Sequence, residues 1–160
     1  MSHLSFDSAE SRTQDICLVS RFVSRVHSNP NAIVAIQHDS TLTMAELGGC
    51  AASLADALND QGNEAAVVGV FAYPGFELLC GLWGVLLSGN AYCPLSPDYP
   101  EERLRYMIES AKMTSIICEE SLVSRLREVA GNRIVIVTTR VEPSDTTPTL
   151  QYKVPAKDDL

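Results

Sequence analysis

Apolar residues fall along the chain in short runs divided by polar and charged punctuation, and the spacing inside the runs changes from one to the next. Leu18, Val19, Phe22 and Val26 recur at helical intervals, which predicts a helix capped by Asp15 and stopped at Asn29-Pro30. AIVAIQ at 32–37 is rich in β-branched residues, His38-Asp39-Ser40 supplies a turn, and TLT at 41–43 can pair back as a second strand. Thr43 with Glu46 three residues on makes a capping box, after which Leu47, Ala51, Leu54 and Leu58 keep helical spacing until Gly62.

From residue 65 the pattern alternates. A strand at 65–71 precedes a helix at 75–88, a short strand at 91–93, a helix at 100–111, a strand at 114–118, a helix at 120–130 and a strand at 133–137. Such alternation implies an α/β fold in which strands and helices alternate around a mostly parallel sheet. The helix at 75–88 is apolar all round, with Trp83 among leucines 78, 79, 82, 86 and 87, as a helix covered on both sides requires. The helix at 100–111 opens on Pro100, sets Glu101 and Glu102 against the positive dipole end and pairs Glu101 with Arg105. Its Leu104, Met107, Ile108 and Ala111 share one face. No internal repeat shows at any period.

The pattern divides the chain into a polar lead at 1–14, a globular portion at 15–138 and a loop or linker at 139–160, where Pro, Ser and Thr replace periodicity. At 160 residues the chain can support a core of its own. A net charge of -8 argues against nucleic acid as a partner, because a phosphate binder carries a basic stripe. The longest apolar stretch, FELLCGLWGVLLSG at 76–89, falls short of the roughly 20 residues of a bilayer span and contains Glu77, so no membrane partner is expected. The start lacks the features of a secretory signal, and a cytoplasmic location follows as the expectation.

Five cysteines, at 17, 50, 80, 93 and 118, show no CxxC spacing, and the odd count suits a reducing compartment. They read as buried thiols rather than as a zinc or redox centre. His3, His27 and His38 fall in a tail, a helix end and a turn and read as exposed. GVLLSGNA at 84–91 has the glycine spacing of a phosphate-binding loop, but Asn90 stands where the lysine belongs and Ala91 where the hydroxyl residue belongs. Gly89 reads instead as a left-handed helix terminator. No GxSxG elbow or HExxH pair is present. Residues 86–104 form an abrupt joint in which Pro94, Pro97 and Pro100 each fix φ, so the crossover is stiff.

That joint, read as GVLLSGNAYCPLSPDYPEERLRYMIES at 84–110, resembles the second core motif of the adenylation domains of nonribosomal peptide synthetases. LTMAEL at 42–47 is similar to the first core motif of the same family at the expected distance, and the resemblance runs from about Leu18 to the end. Two positions depart from the family pattern: Met44 stands for a usual Tyr and Ser96 for a usual Asp. VPAKDDL at 154–160 resembles the lead-in to the family's phosphate-binding loop.

The resemblance implies part of the large N-terminal subdomain of an adenylate-forming enzyme, with a parent reaction that activates an amino acid with ATP and Mg and passes it to the phosphopantetheine thiol of a carrier protein. It also implies that the remainder of the adenylation domain is a partner, and that the catalytic, nucleotide-binding and metal-binding residues lie in that remainder. No catalytic, cofactor-binding or metal residue is therefore assigned here, and this chain alone is expected to be inactive. Two alternatives stay open: a non-catalytic docking module or half of a split enzyme, which an exposed apolar face would mark, and a fragment of an acyl- or aryl-CoA ligase.

Overall fold

A computed structural model describes residues 17–62 and 66–139. The elements run α1 (Leu18–Ser28), β1 (Ile33–Gln37), β2 (Ser40–Thr43), α2 (Met44–Asn59), β3 (Val67–Phe71), α3 (Phe76–Leu87), β4 (Ala91–Leu95), α4 (Glu101–Ser110), β5 (Ser115–Glu119), α5 (Val123–Ala130) and β6 (Val135–Thr139). β1 and β2 form an antiparallel hairpin, and β3 to β6 form a parallel sheet in the order β4-β3-β5-β6. Helices cover this sheet on both faces, so the α/β expectation holds. Asp15, His3 and the segments 1–14 and 140–160 lie outside the described residues.

The two faces follow from the strand alternation. Val68, Val70, Ile117 and Val137 point into one core with α1, α2, α3 and Leu42 of the hairpin. Phe71, Leu95, Ile116 and Cys118 point into the other with Leu104 and Ile108 of α4 and Leu126 and Val129 of α5. Burial on both faces explains why β3 and β5 read as unbroken apolar runs rather than alternating ones.

The capping box is present in full: the Thr43 side chain accepts from the Glu46 backbone N–H, and Glu46 Oε2 accepts from the Thr43 backbone N–H at 2.7 Å. The pair of Glu101 and Arg105 closes at 3.4 Å on the exposed side of α4. Trp83 stacks on Phe22 with ring centroids 3.9 Å apart, joining α3 to α1.

Five expectations are corrected. Leu18 is 60% exposed, because the buried stripe of α1 is Val19, Phe22 and Val26 and Leu18 sits about 100° round the helix from Val19. β4 continues through Pro94 to Leu95 instead of ending at Cys93; among the described strands it lies at the edge, bonded to β3 alone, a place where a missing N–H is tolerated. Pro100 is the residue before α4 rather than its first, with extended backbone at φ -56 and ψ 146. β6 begins at Val135, two residues later than the pattern placed it, since Gly131–Arg133 form a 3-10 turn entered at Gly131 with φ 69. α3 is not covered all round: Leu78, Leu79, Leu82, Trp83 and Leu86 are only half-buried.

Candidate functional site

In an open parallel sheet, ligands meet the carboxyl ends of strands where neighbouring connections leave in opposite directions. Here that place lies between β3 and β5: the chain leaves β3 through α3 towards β4 and leaves β5 through α5 towards β6. Two loops frame it, Tyr73-Pro74-Gly75 and Glu119-Glu120-Ser121. Glu119 ties them together, its Oε2 accepting from the Tyr73 backbone N–H at 3.3 Å and its Oε1 accepting from the Ser121 hydroxyl.

The start of α3 is tied as well. Gln37, at the end of β1, accepts from the Phe76 backbone N–H through Oε1 at 3.3 Å. A Cβ at Gly75 would stand 3.0 Å from that oxygen, so glycine leaves the room for the amide to enter. A helix start can receive a phosphate, but this one already spends a donor on a neutral side chain.

Beside it runs a groove of about 350 Å³, lined by Ile36, Gln37, Phe76, Leu78, Leu79 and Leu82 among others. None of its lining residues ionises, so the groove offers apolar surface and no proton donor or acceptor of adjustable charge.

Within the joint, the glycine pattern has a structural use. Gly84 lies inside α3 facing Leu54, and Gly89 at φ 78 turns the chain out of the helix. Asn90, in the place of a phosphate-loop lysine, is buried: its Oδ1 accepts from the Ala66 backbone N–H at 2.8 Å, and its Nδ2 donates to Ser88 Oγ at 2.9 Å. Ser88 Oγ in turn donates to the Val85 carbonyl at 2.7 Å. This network joins the end of α3 to the entry of β3. Asn90→Ala is expected to lower stability by about 1–3 kcal/mol, the cost of stranding the Ala66 N–H and of losing the donor to Ser88 Oγ. Urea unfolding reads this directly, and a loss under roughly 0.5 kcal/mol, the range of ordinary surface changes, would contradict the assigned role.

Both departures from the motif pattern are accommodated. Ser96 Oγ accepts from the Asp98 backbone N–H at 3.3 Å, a turn contact that a carboxylate oxygen could equally make. Met44 begins α2, its N–H donating to the Ala32 carbonyl at 2.8 Å while its side chain packs on the core. Arg103 lies 3.9 Å over the Tyr99 ring, holding the start of α4 against the turn before it.

His27 and His38 are exposed, the first with Nδ1 at 2.8 Å from the Val23 carbonyl oxygen. Cys80 and Cys118 are buried, while Cys17, Cys50 and Cys93 are half-buried. Burial pushes the Cys118 thiol up to about 12, the Glu119 charge adding to the rise and Arg127 opposing it. Among the described residues, no three His, Cys, Asp or Glu side chains converge to hold a metal ion. No described helix is long and apolar enough to cross a membrane. Gln37 thus engages the start of α3, Asn90 bridges Ala66 and Ser88, and Glu119 engages the two loops. Spacing along the chain gave no sign of the Gln37 and Glu119 ties, which join residues 39 and 46 positions apart.

Residues 22–159 match the family model described as AMP-binding enzyme. Indigoidine synthase of Streptomyces lavendulae is 48% identical over 117 residues, which are 72% of this chain and 9% of that protein. Bacitracin synthase 2 of Bacillus licheniformis is 32% identical over 106 residues, 66% of this chain and 4% of its own length. The fold matches that of the nonribosomal peptide synthetase FmoA3 in its AMPPNP-bound form, with a TM-score of 0.74 at 23% identity over 94% of this chain and 16% of that one. This chain thus spans less than a tenth of the length of either curated relative. It belongs to the AMP-binding enzyme family.

Proposed function

We propose that this chain serves as the N-terminal scaffold of an adenylation domain whose overall reaction joins an amino acid and ATP into an aminoacyl-adenylate, releasing pyrophosphate, and then passes the aminoacyl group to a carrier-protein phosphopantetheine thiol. The match of residues 22–159 to the AMP-binding enzyme family carries this reading. The contribution of these residues is architectural: they build a parallel sheet, fix its carboxyl edge through Glu119 and Gln37, and set the direction of α4 through the joint. Stabilising the charge that develops at the α-phosphate falls to residues of the remainder of the domain.

Amino-acid-dependent ATP–pyrophosphate exchange tests it, with the chain alone and then with a separately expressed remainder of an adenylation domain. Exchange is expected only after mixing. Exchange by the chain alone would overturn the placement of the chemistry outside it.

A further inference from the structure

α3 has two apolar sides, and the described elements cover one of them. Gly81, Gly84 and Val85 are buried in the core that α3 shares with the sheet and α2. Leu78, Leu79, Leu82 and Leu86 stand within about 100° of one another round the other side and are only half-buried. The β1–β2 hairpin flanks that side: Gln37 binds the start of α3, and Ile36 beside it is 72% exposed. Between hairpin and helix runs the groove of about 350 Å³, in which Gln37 supplies the one polar side chain and its oxygen already accepts from Phe76. A small-molecule site sets several convergent polar groups among apolar ones, and this groove offers a single amide. Contiguous apolar surface of this kind marks a protein interface instead.

We propose that this groove receives an apolar helix of the remainder of the adenylation domain, laid against α3 and the hairpin. The docking site rests on the adenylation-domain reading given above. Leu78, Leu82 and Leu86 repeat every four residues, a row that complements a helix carrying apolar residues at the same spacing. No lining residue ionises, so a charge brought into the groove would lose its water and gain no partner, and the entering surface is apolar as well. The ends of this chain do not supply such a stripe: 1–14 holds only Met1, Leu4, Phe6 and Ala9 as apolar residues, and 140–160 is broken by Pro143, Pro148 and Pro155. A second copy would bring another net charge of -8 to the contact, and that repulsion opposes self-association. The chain spans less than a tenth of either curated relative, so the greater part of such a protein lies outside it and can provide the helix.

Sedimentation of the 160-residue chain, alone and mixed with a separately expressed remainder of an adenylation domain, tests this, with anilinonaphthalene sulfonate fluorescence reporting the uncovered groove. The chain alone is expected to sediment as a monomer and to brighten the dye, and the remainder to bind the chain and quench that signal. Ile36→Asp is expected to weaken the association by about tenfold or more, the loss typical of an interface anchor. Tyr106→Asp, at a side chain 70% exposed on α4 across the sheet, is expected to change it by less than about twofold. Equal association of the Ile36→Asp and unsubstituted chains, or no association of the unsubstituted chain, would overturn the proposal. So would a dimer of the chain alone that Ile36→Asp dissolves, or a monomer that leaves the dye dark because its own ends fill the groove. The unsubstituted chain and the dye decide the matter even where the Ile36→Asp chain fails to fold. Association that Ile36→Asp abolishes, in a mixture without pyrophosphate exchange, would keep the docking site and fail the adenylation reading; exchange and association that Ile36→Asp leaves unaltered would do the reverse.

Discussion

Phe71→Ala is expected to destabilise the chain by about 3–5 kcal/mol, the range for emptying a buried aromatic site. Phe71 ends β3, the strand bonded on both sides, opposite Leu95 of β4 and Cys118 of β5, and no part of it reaches solvent. Its ring fills the core beneath α4 and α5, where Leu104, Ile116 and Leu126 are also fully buried. A β-strand cannot slide to close the void without breaking ladders on both sides, so little relaxation is available. Domains of this kind have about 5–15 kcal/mol of total stability, so the substitution removes a large share. Phe71→Leu, which keeps much of the volume, is expected to cost under about 1.5 kcal/mol, and Tyr106→Ala, at a side chain 70% exposed, to lie within about 0.5 kcal/mol of the unsubstituted chain. Urea unfolding followed by far-ultraviolet circular dichroism gives these values. Trp83, the only tryptophan and packed against the opposite core, reports whether both cores melt together. A Phe71→Ala loss below about 1 kcal/mol would count against the packing described for this core.

Much of the fold was legible because its signals are local. The capping box needs only Thr43 and Glu46 three residues apart, and the structure makes both of its reciprocal bonds. Gly89 announces the end of α3 because few other residues adopt its backbone conformation. The alternation from β3 to β6 survives small boundary shifts, since each apolar run is long enough to mark its element wherever it begins. Family membership was legible for the same reason: the joint at 84–110 is contiguous.

Long-range arrangement was not legible. Pro94 reads as a turn until β4 is known to be an edge strand, which depends on sheet order and not on the neighbours of Pro94. Gln37 carries no mark of capping α3, nor Glu119 of holding the Tyr73 loop, because both bonds cross between elements whose relative placement the cores decide. The half-buried side of α3 has a similar origin: its composition shows that it is apolar, while only packing shows which residues the described elements leave uncovered.

Gly81→Ala and Gly84→Ala, one turn apart on α3, are expected to destabilise by similar amounts yet to respond differently to a second substitution. A Cβ at Gly81 would lie 2.6 Å from Val70 Cγ1 and 3.3 Å from Ile117 Cγ2, against the sheet; at Gly84 it would meet Leu54 Cβ at 2.7 Å, against α2. Overpacking of this kind costs about 1–3 kcal/mol, offset by the roughly 1 kcal/mol that alanine gains over glycine inside a helix. Val70→Ala removes both γ-carbons that obstruct position 81, so the double substitution is expected to lose about 1–2 kcal/mol less than the sum of the singles. Leu54→Ala keeps the obstructing Cβ, leaving position 84 blocked by an atom no rotamer change can move, and the two losses are expected to add within about 0.5 kcal/mol. Urea midpoints of the two double-mutant cycles measure both couplings. Equal rescue at the two sites would mean that α3 shifts as a rigid body to relieve either contact, and that its spacing from α2 is not fixed by the backbone approach at Gly84.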